Sequence, residues 1–305
     1  MNTKFFALAT LALSLAACTN DNEAIDNSPV AARINAEISN TVTTRASGTQ
    51  WATYDQIGVS TIAGTGTYYN NVCYEWNGSS FTTPSENAIY FQTPESVTFR
   101  AYYPFTGTPG ESAGVLTGVS TGSENQTAEN RPLIDFLYAT GATADTHHPT
   151  IDFTDNTKDN GRDCSFHHCM SQITLTFEAG SGVSFTAVKP VSYKLSGLTL
   201  TGSFDTETGV AEADENVRAA DLTMGLGGAL TSSVILFPQT LTSIDLTVNF
   251  NDNDYNATLT VPDGAMKAGN NYTWTVTVRN KDLSVGSAVI SDWNPVSGGN
   301  VNADL

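Results

Sequence analysis

The sequence has little positive charge. Its 305 residues include 13 Lys and Arg against 31 Asp and Glu, which gives a formal net charge of −18 at pH 7. Proteins that bind nucleic acids present basic patches to the phosphates, so this charge balance argues against a nucleic-acid-binding protein. The same negative charge repels a surface of anionic lipids.

Patterns typical of enzymes and of helical proteins are also scarce. The sequence contains no His-Glu-x-x-His pair and no phosphate-binding loop. Long helical patterns rich in Ala, Glu, Lys and Leu are missing, and charged residues make up only 14% of the chain. Thr, Ser, Asn and Gly take their place, a mixture that favours strands and turns. The sequence therefore predicts an all-β protein that is not an enzyme and uses no cofactor.

Residues 1–17 resemble a bacterial lipoprotein signal peptide. Lys4 gives the positive start, Phe5–Leu15 is an apolar stretch of signal-peptide length, and Leu15-Ala-Ala-Cys18 resembles a lipobox. The resemblance implies cleavage before Cys18 and acylation of that residue, which would hold the precursor at the outer membrane because two or more acyl chains anchor stably. An ordinary signal peptide with an incidental cysteine is the alternative.

One cluster of residue types that bind metals follows later in the chain: Cys164, His167, His168 and Cys169. The Cys164–Cys169 spacing is one that zinc sites use, but these positions point to opposite faces of a single strand. We therefore interpret the cluster as core and surface residues and predict no metal site. Once Cys18 is acylated, Cys73, Cys164 and Cys169 remain, and an odd number cannot pair completely. One disulfide stays open, but buried free thiols are favoured.

Residues 31–45 alternate between two kinds of side chain. The odd-numbered positions are polar apart from Ala31, whereas the even-numbered ones are mostly apolar and include Ala32, Ile34, Ala36, Ile38 and Val42. This period of two predicts a half-buried strand. Arg45-Ala46 follows in a stretch rich in Thr, Ser and Gly, where proteases commonly cut. By itself an Arg is weak evidence for processing, because most Arg residues are simply solvated.

The rest of the chain consists of short strand-like runs between turn signals. Val97–Tyr103 and Leu133–Tyr138 are two such runs, and Asn77-Gly78 predicts a hairpin. This pattern predicts antiparallel β-sandwiches, of which the chain length fits two. Residues 107–131 are polar and Gly-rich and predict a surface loop or an insertion, a candidate for receptor contact. The predicted organisation is a signal peptide (1–17), a tether with a removable first strand (18–45), an N-terminal sandwich (46–160) and a C-terminal sandwich (161–305).

Five short motifs occur in order across residues 46–293. They are Val97-Thr-Phe-Arg-Ala-Tyr102-Tyr103-Pro104, Asp135-Phe-Leu-Tyr138-Ala, Phe166-His-His168-Cys-Met-Ser171-Gln-Ile, Ala268-Gly-Asn-Asn-Tyr272-Thr-Trp and Ile290-Ser-Asp-Trp293. Each is weak alone. Together with the lipobox and the strand that ends in an Arg, they resemble the fimbrillin family, the type V pilin subunits of anaerobic Gram-negative bacteria.

The resemblance implies two tandem transthyretin-like sandwiches and removal of the first strand by a trypsin-like protease. Here the cut maps to Arg45-Ala46, and Ile34, Ile38 and Val42 are the core plugs of the removed strand. The emptied groove would accept a strand from another fimbrial subunit at the cell surface. The stretch after Trp293 is Gly-rich and weakly apolar, hence a poor donor strand. We therefore expect an accessory or tip-like subunit that contributes to adhesion. A subunit that stays uncut and serves as a membrane anchor is the alternative.

A second hypothesis remains open, because a fold resemblance does not identify a ligand. The chain could be a surface lipoprotein that never polymerises and binds a glycan or a host protein. The two hypotheses differ at the mature N terminus. A fimbrial subunit would begin at Ala46, whereas the binding protein would keep its lipid on Cys18.

Overall fold

The computed structural model describes residues 28–39, 50–63, 68–186, 188–280 and 282–293. Regular structure in these residues is almost entirely β-strand, which confirms the all-β prediction. Helical structure within these ranges is limited to α1 (Thr157–Asn160) and to 3₁₀ turns at Ser85–Asn87, Ser123–Asn125, Arg131–Leu133 and Pro262–Gly264. Within this part of the chain, no helix has the length and apolar character needed to cross a membrane.

The described residues of the first half of the chain form thirteen strands. They are β1 (Val30–Ala31), β2 (Arg33–Ala36), β3 (Gln56–Ala63), β4 (Val72–Trp76), β5 (Phe81–Thr82), β6 (Tyr90–Phe91), β7 (Val97–Tyr103), β8 (Val115–Ser120), β9 (Leu137–Ala144), β10 (Thr150–Phe153), β11 (Asp155–Asn156), β12 (Arg162–Asp163) and β13 (His167–His168). Eight of them form one mixed sheet in the order β10-β2-β5-β4-β3-β7-β9-β13. Alternate side chains of these strands fill the first core, which includes Ile57, Val59, Phe99, Phe153 and Phe166.

Another thirteen strands lie in the part of the second half that the structure describes. They are β14 (Ser171–Ala179), β15 (Ser192–Leu198), β16 (Thr201–Asp205), β17 (Ala211–Ala213), β18 (Ala220–Gly225), β19 (Thr231–Leu236), β20 (Gln239–Thr240), β21 (Ser243–Phe250), β22 (Asn253–Thr260), β23 (Ala265–Met266), β24 (Asn270–Val278), β25 (Leu283–Val285) and β26 (Val289–Asp292). One sheet has the order β18-β15-β21-β22, and another has the order β19-β14-β24 with β25 and β26 both beside β24. A second core contains residues of both sheets, among them Leu175, Leu195, Leu246 and Trp274.

Turn chemistry explains two of the hairpins. Trp76 pairs with Phe81 across the predicted Asn77-Gly78 turn, where Gly78 has φ 98°. Asn251 and Asp252, with φ 52° and 56°, make the two-residue turn between β21 and β22. Left-handed backbone at both central positions is what such a tight hairpin requires, and Asn and Asp tolerate it better than most residues.

Two pairs of named strands are parallel, namely β2 with β10 and β14 with β24, and the others are antiparallel. The parallel pairs require chain crossovers, which a local sequence pattern does not reveal. The predicted strand Leu133–Tyr138 is wrong in its bounds, because Arg131–Leu133 forms a 3₁₀ turn and β9 begins at Leu137. Pro132 lacks the N–H that a strand ladder uses.

The two sandwiches meet along a third apolar cluster. Phe136 stacks on Phe204 with ring centroids 4.4 Å apart. Residues 107–131, predicted as a loop or an insertion, contribute β8, which pairs with β16 of the second half. This segment is therefore part of the contact between sandwiches and is not a free loop. Phe166 belongs to the first core, beyond the predicted limit of the N-terminal sandwich at residue 160.

Candidate functional site

The N-terminal segment 30–39 is built into the first sheet. Its β2 lies between β5 and β10, so that Ile34 is opposite both Phe81 and Ile151. Immediately before β2 in the chain, β1 pairs with β6. We call the space between β5 and β10 that holds residues 30–39 the groove.

Side chains of the segment alternate between the first core and solvent. Ile34 is 7% exposed and Ile38 is 5% exposed, and both belong to the first core. Ala32 and Ala36 face the same side and are half-buried, whereas the odd-numbered residues 31–37 are exposed. The structure thus places two of the three predicted plugs, Ile34 and Ile38, in the core. The third, Val42, lies outside the described residues, as do Cys18, Arg45 and Ala46.

Main-chain hydrogen bonds hold the segment on both sides. Toward β10, the N–H of Glu37 donates to Phe153 O (3.0 Å) and that of Ser39 to Phe166 O (2.7 Å). Phe166 N returns a bond to Glu37 O (2.9 Å). Toward β5 and β6, Ala32 N donates to Ile89 O (2.8 Å). Such bonds depend on backbone geometry alone, so another strand of different sequence can make them.

Trp51 completes the groove on the β5 side. Its Nε1 donates to the carbonyl of Ala36 (2.9 Å). The indole makes edge contacts with Phe81 and Phe166, each with ring centroids 5.1 Å apart, and with Tyr103 at 5.7 Å. Phe81 lies on β5, whereas Phe166 bonds to Glu37 and Ser39 on the other side, so Trp51 touches both walls of the groove.

A cavity of about 320 Å³ adjoins the last buried side chain of the segment, and Ile38, Trp51, Asp55, Tyr103 and Arg131 are among the residues that line it. Burial raises the pKa of Asp55, although its carboxylate accepts bonds from Ala52 N (2.7 Å) and the Tyr103 hydroxyl (3.0 Å). Burial also lowers the pKa of Arg131. The two hydrogen bonds to the Asp55 carboxylate hold the turn that follows Trp51 at the mouth of the cavity.

Most family-motif positions lie away from the groove. Tyr103 and cis-Pro104 end β7, and Tyr102 donates to Asn71 Oδ1 (2.8 Å). Tyr138 donates to Glu207 O (2.7 Å) and thereby joins the two halves of the chain. These positions therefore support the fold next to the groove, and Tyr103 also contacts Trp51 directly.

The second group of motif positions fixes the start of the C-terminal sandwich. His168 Nδ1 lies 2.7 Å from Asp135 Oδ1, and its ring stacks on Trp293 at 4.4 Å. Ser171 Oγ donates to Lys267 O (2.7 Å), and the Tyr272 hydroxyl donates to Ala265 O (3.1 Å). All of these contacts are internal, which gives these residues a structural role.

The cysteines and histidines do not converge. In the described ranges no group of three or more His, Cys, Asp and Glu residues could hold a metal ion. Cys73, Cys164 and Cys169 are free thiols. Burial, followed by the charge of Glu75, raises the pKa of Cys73 to about 11. A thiol with so high a pKa is a weak nucleophile at neutral pH.

Sequence reasoning found no serine-hydrolase motif, yet one stretch has its residue spacing. Gly118-Val-Ser-Thr-Gly122 reads Gly-x-Ser-x-Gly. The motif requires a serine on a sharp turn between a strand and a helix, whereas Ser120 pairs with Thr201 inside the β8–β16 ladder. Its hydroxyl donates to Glu124 Oε1 (3.0 Å). The local geometry is therefore that of a strand end.

Sequence reasoning missed two parts of the groove. The alternation of Thr150–Phe153 covers only four residues and did not stand out as β10. Trp51 is one of four tryptophans, and its partner Ala36 lies 15 positions earlier, so no local pattern joins them.

A family model described as fimbrillin-like matches residues 44–293. Two solved structures of candidate cell adhesion proteins are similar. One is from Bacteroides ovatus (30% identity, 87% of this chain and 96% of that chain, TM-score 0.68), and the other is from Bacteroides uniformis (20%, 88% and 100%, 0.66). A fimbrial protein from Bacteroides vulgatus has the same fold at 12% identity (86% and 99%, TM-score 0.51). No curated protein matches the chain.

Proposed function

The chain belongs to the fimbrillin-like family, and on that premise we propose that it is an accessory or tip-like fimbrial subunit assembled by donor-strand exchange. Family membership supports a pilus subunit at the cell surface, a structural protein and not an enzyme. The finer steps of the proposal are cleavage after Arg45, departure of the first strand and entry of a strand from another subunit.

The observation that carries the proposal is that residues 30–39 are paired with neighbouring strands and place two side chains in the first core. Burial of an Ile side chain is worth about 1.5–3 kcal/mol, so Ile34 and Ile38 contribute about 3–6 kcal/mol gross. Removal of the segment would expose their core positions and the unpaired backbone of β5 and β10. An apolar slot flanked by open strand edges is the kind of site that takes up another strand. Uncut, the segment would block that site and prevent early polymerisation.

The accessory or tip-like assignment is supported by composition. A donor strand needs alternating apolar residues over about ten positions. Residues 294–305 read NPVSGGNVNADL, where two glycines interrupt the few apolar side chains. We propose that this subunit mainly accepts strands and contributes to adhesion through a host protein or glycan.

Two further parts of the proposal concern processing and export. Lipid on Cys18 would hold the precursor at the outer membrane until a trypsin-like protease separates residues 18–45 from the rest. The cut would release the subunit from its anchor and open the groove in one step. Processing and assembly would then be linked by the same peptide bond.

N-terminal sequencing of protein extracted from the cell surface tests the proposal. We expect a mature chain that begins at Ala46 and forms ladders on gels of unheated samples. Arg45→Ala should leave the N terminus at Cys18 and abolish the ladders. Arg33→Ala, in the same segment, should change neither, because Arg33 is an exposed residue of β2. A single band that keeps Cys18 in the unaltered protein would contradict exchange and favour the non-polymerising surface lipoprotein.

A further inference from the structure

The carbonyl of Ala36 has an unusual hydrogen-bond partner for a residue inside a sheet. In a strand, the C=O of one residue and the N–H of the next point in opposite directions. Because Glu37 N–H bonds to Phe153 on the β10 side, the Ala36 carbonyl points toward β5. The β5 ladder, however, reaches β2 only at Ile34. The Trp51 indole N–H supplies the missing donor at 2.9 Å.

The same indole limits the side chain at position 36. Phe81 is paired with Ile34, and Phe166 bridges to Ile38, so these two rings flank residue 36 along the segment. Trp51 contacts both rings at 5.1 Å and bonds to the Ala36 carbonyl, so the indole lies next to residue 36 in the space between the two rings. Ala36 faces this space with a single methyl group. A longer side chain would meet the indole, because protein cores are close-packed.

We infer that Trp51 sets the register of the strand that fills the groove. It donates one main-chain hydrogen bond and requires a small residue at the position of Ala36, between two branched aliphatic residues at the positions of Ile34 and Ile38. Resting on the proposed exchange, the inference extends to the incoming strand. Its partner is a β-strand of another subunit that presents a large, a small and a large apolar residue on one face.

The requirement for a small residue is tested first in the uncut chain, where no exchange is needed. Ala36→Leu should lower the thermal unfolding midpoint by about 4–8 °C, as overpacking of a core does. Arg33→Leu is the matched control on the exposed face of β2 and should shift the midpoint by less than about 2 °C. In a Trp51→Ala background, Ala36→Leu should cost less than half of its original shift, because the space for the longer side chain is now open.

A third substitution separates the ring from its hydrogen bond. Trp51→Phe keeps an aromatic ring and removes the N–H, so Ala36→Leu should remain harmful in that background. Should Trp51→Ala not fold, Trp51→Leu replaces it in the same comparison. Equal shifts for Ala36→Leu with and without the tryptophan would overturn the inference.

The second arm uses the processed chain and labelled peptides that copy residues 30–39. The natural peptide should bind, and the peptide with Ala36→Leu should bind at least about tenfold more weakly. The Trp51→Ala protein should recover most of that loss. If the uncut chain shows the coupling but no peptide enters the processed chain, strand exchange fails while the register role of Trp51 stands. If the Leu peptide binds the natural protein as tightly as the Ala peptide, the inference fails while exchange stands.

Discussion

The stabilising role of the N-terminal segment can be tested through Ile38. Ile38→Ala removes a side chain that is 5% exposed and lies among Trp51, Phe166 and the wall of the adjoining cavity. Substitution of a buried Ile by Ala costs about 2–5 kcal/mol, from lost transfer energy and from the space left behind. Because a cavity already adjoins Ile38, few neighbouring groups are placed to fill the space that its side chain would leave. We therefore expect a value in the upper half of that range for the uncut chain.

The measurement is urea unfolding of the uncut chain, followed by tryptophan emission. Ile34→Ala should give a similar loss, whereas Glu37→Ala, on the exposed face of the same segment, should stay within about 0.5 kcal/mol. The two Ile substitutions share neighbours, so their combined effect need not equal the sum. A loss below about 1 kcal/mol for Ile38→Ala would show that the segment is only loosely attached to the core.

Processing provides an internal control for this prediction. Once the chain is cut after Arg45 and residues 18–45 have left, the substituted positions are no longer present. The processed forms of Ile38→Ala and of the natural protein should then unfold at the same urea concentration. A difference that persists after cleavage would mean that the segment stays bound, contrary to the exchange mechanism.

Three further predictions concern residues outside the segment. Burial raises the pKa of Asp55 in the folded chain above its ordinary value of 3.8. At pH values between 3.8 and this raised pKa, the folded chain therefore binds more protons than the unfolded chain. Its unfolding free energy should therefore fall as pH rises through that window, and Asp55→Asn should remove this fall when the two pH profiles are subtracted. The buried side-chain amide of Gln126 donates to Ile235 O and accepts from Ile235 N. Gln126→Ala would leave both main-chain groups without this partner, and in urea unfolding it should cost about 1–3 kcal/mol for each of them. Trp293→Ala should cost about 3–5 kcal/mol, because it removes a buried side chain that stacks on His168. Ile290 in β26 is 40% exposed, so Ile290→Ala should stay within about 0.5 kcal/mol.

Regular local patterns made much of the fold predictable from sequence. Val97–Tyr103 alternates between buried and half-buried side chains over its first five residues and forms β7 with the predicted bounds. The Asn77-Gly78 turn was predictable because its backbone requires specific residues. Long-range pairing was not predictable in the same way. Nothing in residues 115–120 indicates that β8 pairs with β16, since the two strands are more than eighty residues apart and Gly118 interrupts the pattern.

In the candidate site, too, local features could be predicted from the sequence and long-range contacts could not. The alternation of residues 31–45 predicts which side chains of the segment turn inward, because that property depends on strand geometry alone. The walls of the groove depend on tertiary contacts. The parallel pairing of β2 with β10 and the bond from Trp51 to Ala36 depend on how segments that are distant in the sequence pack together. The periodicity of a single sequence does not reveal such contacts.

The position of β2 in the sheet explains how a segment could leave without unfolding the domain. The long ladders β3–β4, β3–β7 and β7–β9 do not include β2 and would remain paired. On one side β5 is held to β4 through the Asn77-Gly78 hairpin, and on the other β10 also contacts β9. Both walls are therefore anchored independently of the segment between them. In the proposed exchange, both walls would stay in place for a second strand, whose side chains would replace the lost core contacts of Ile34 and Ile38.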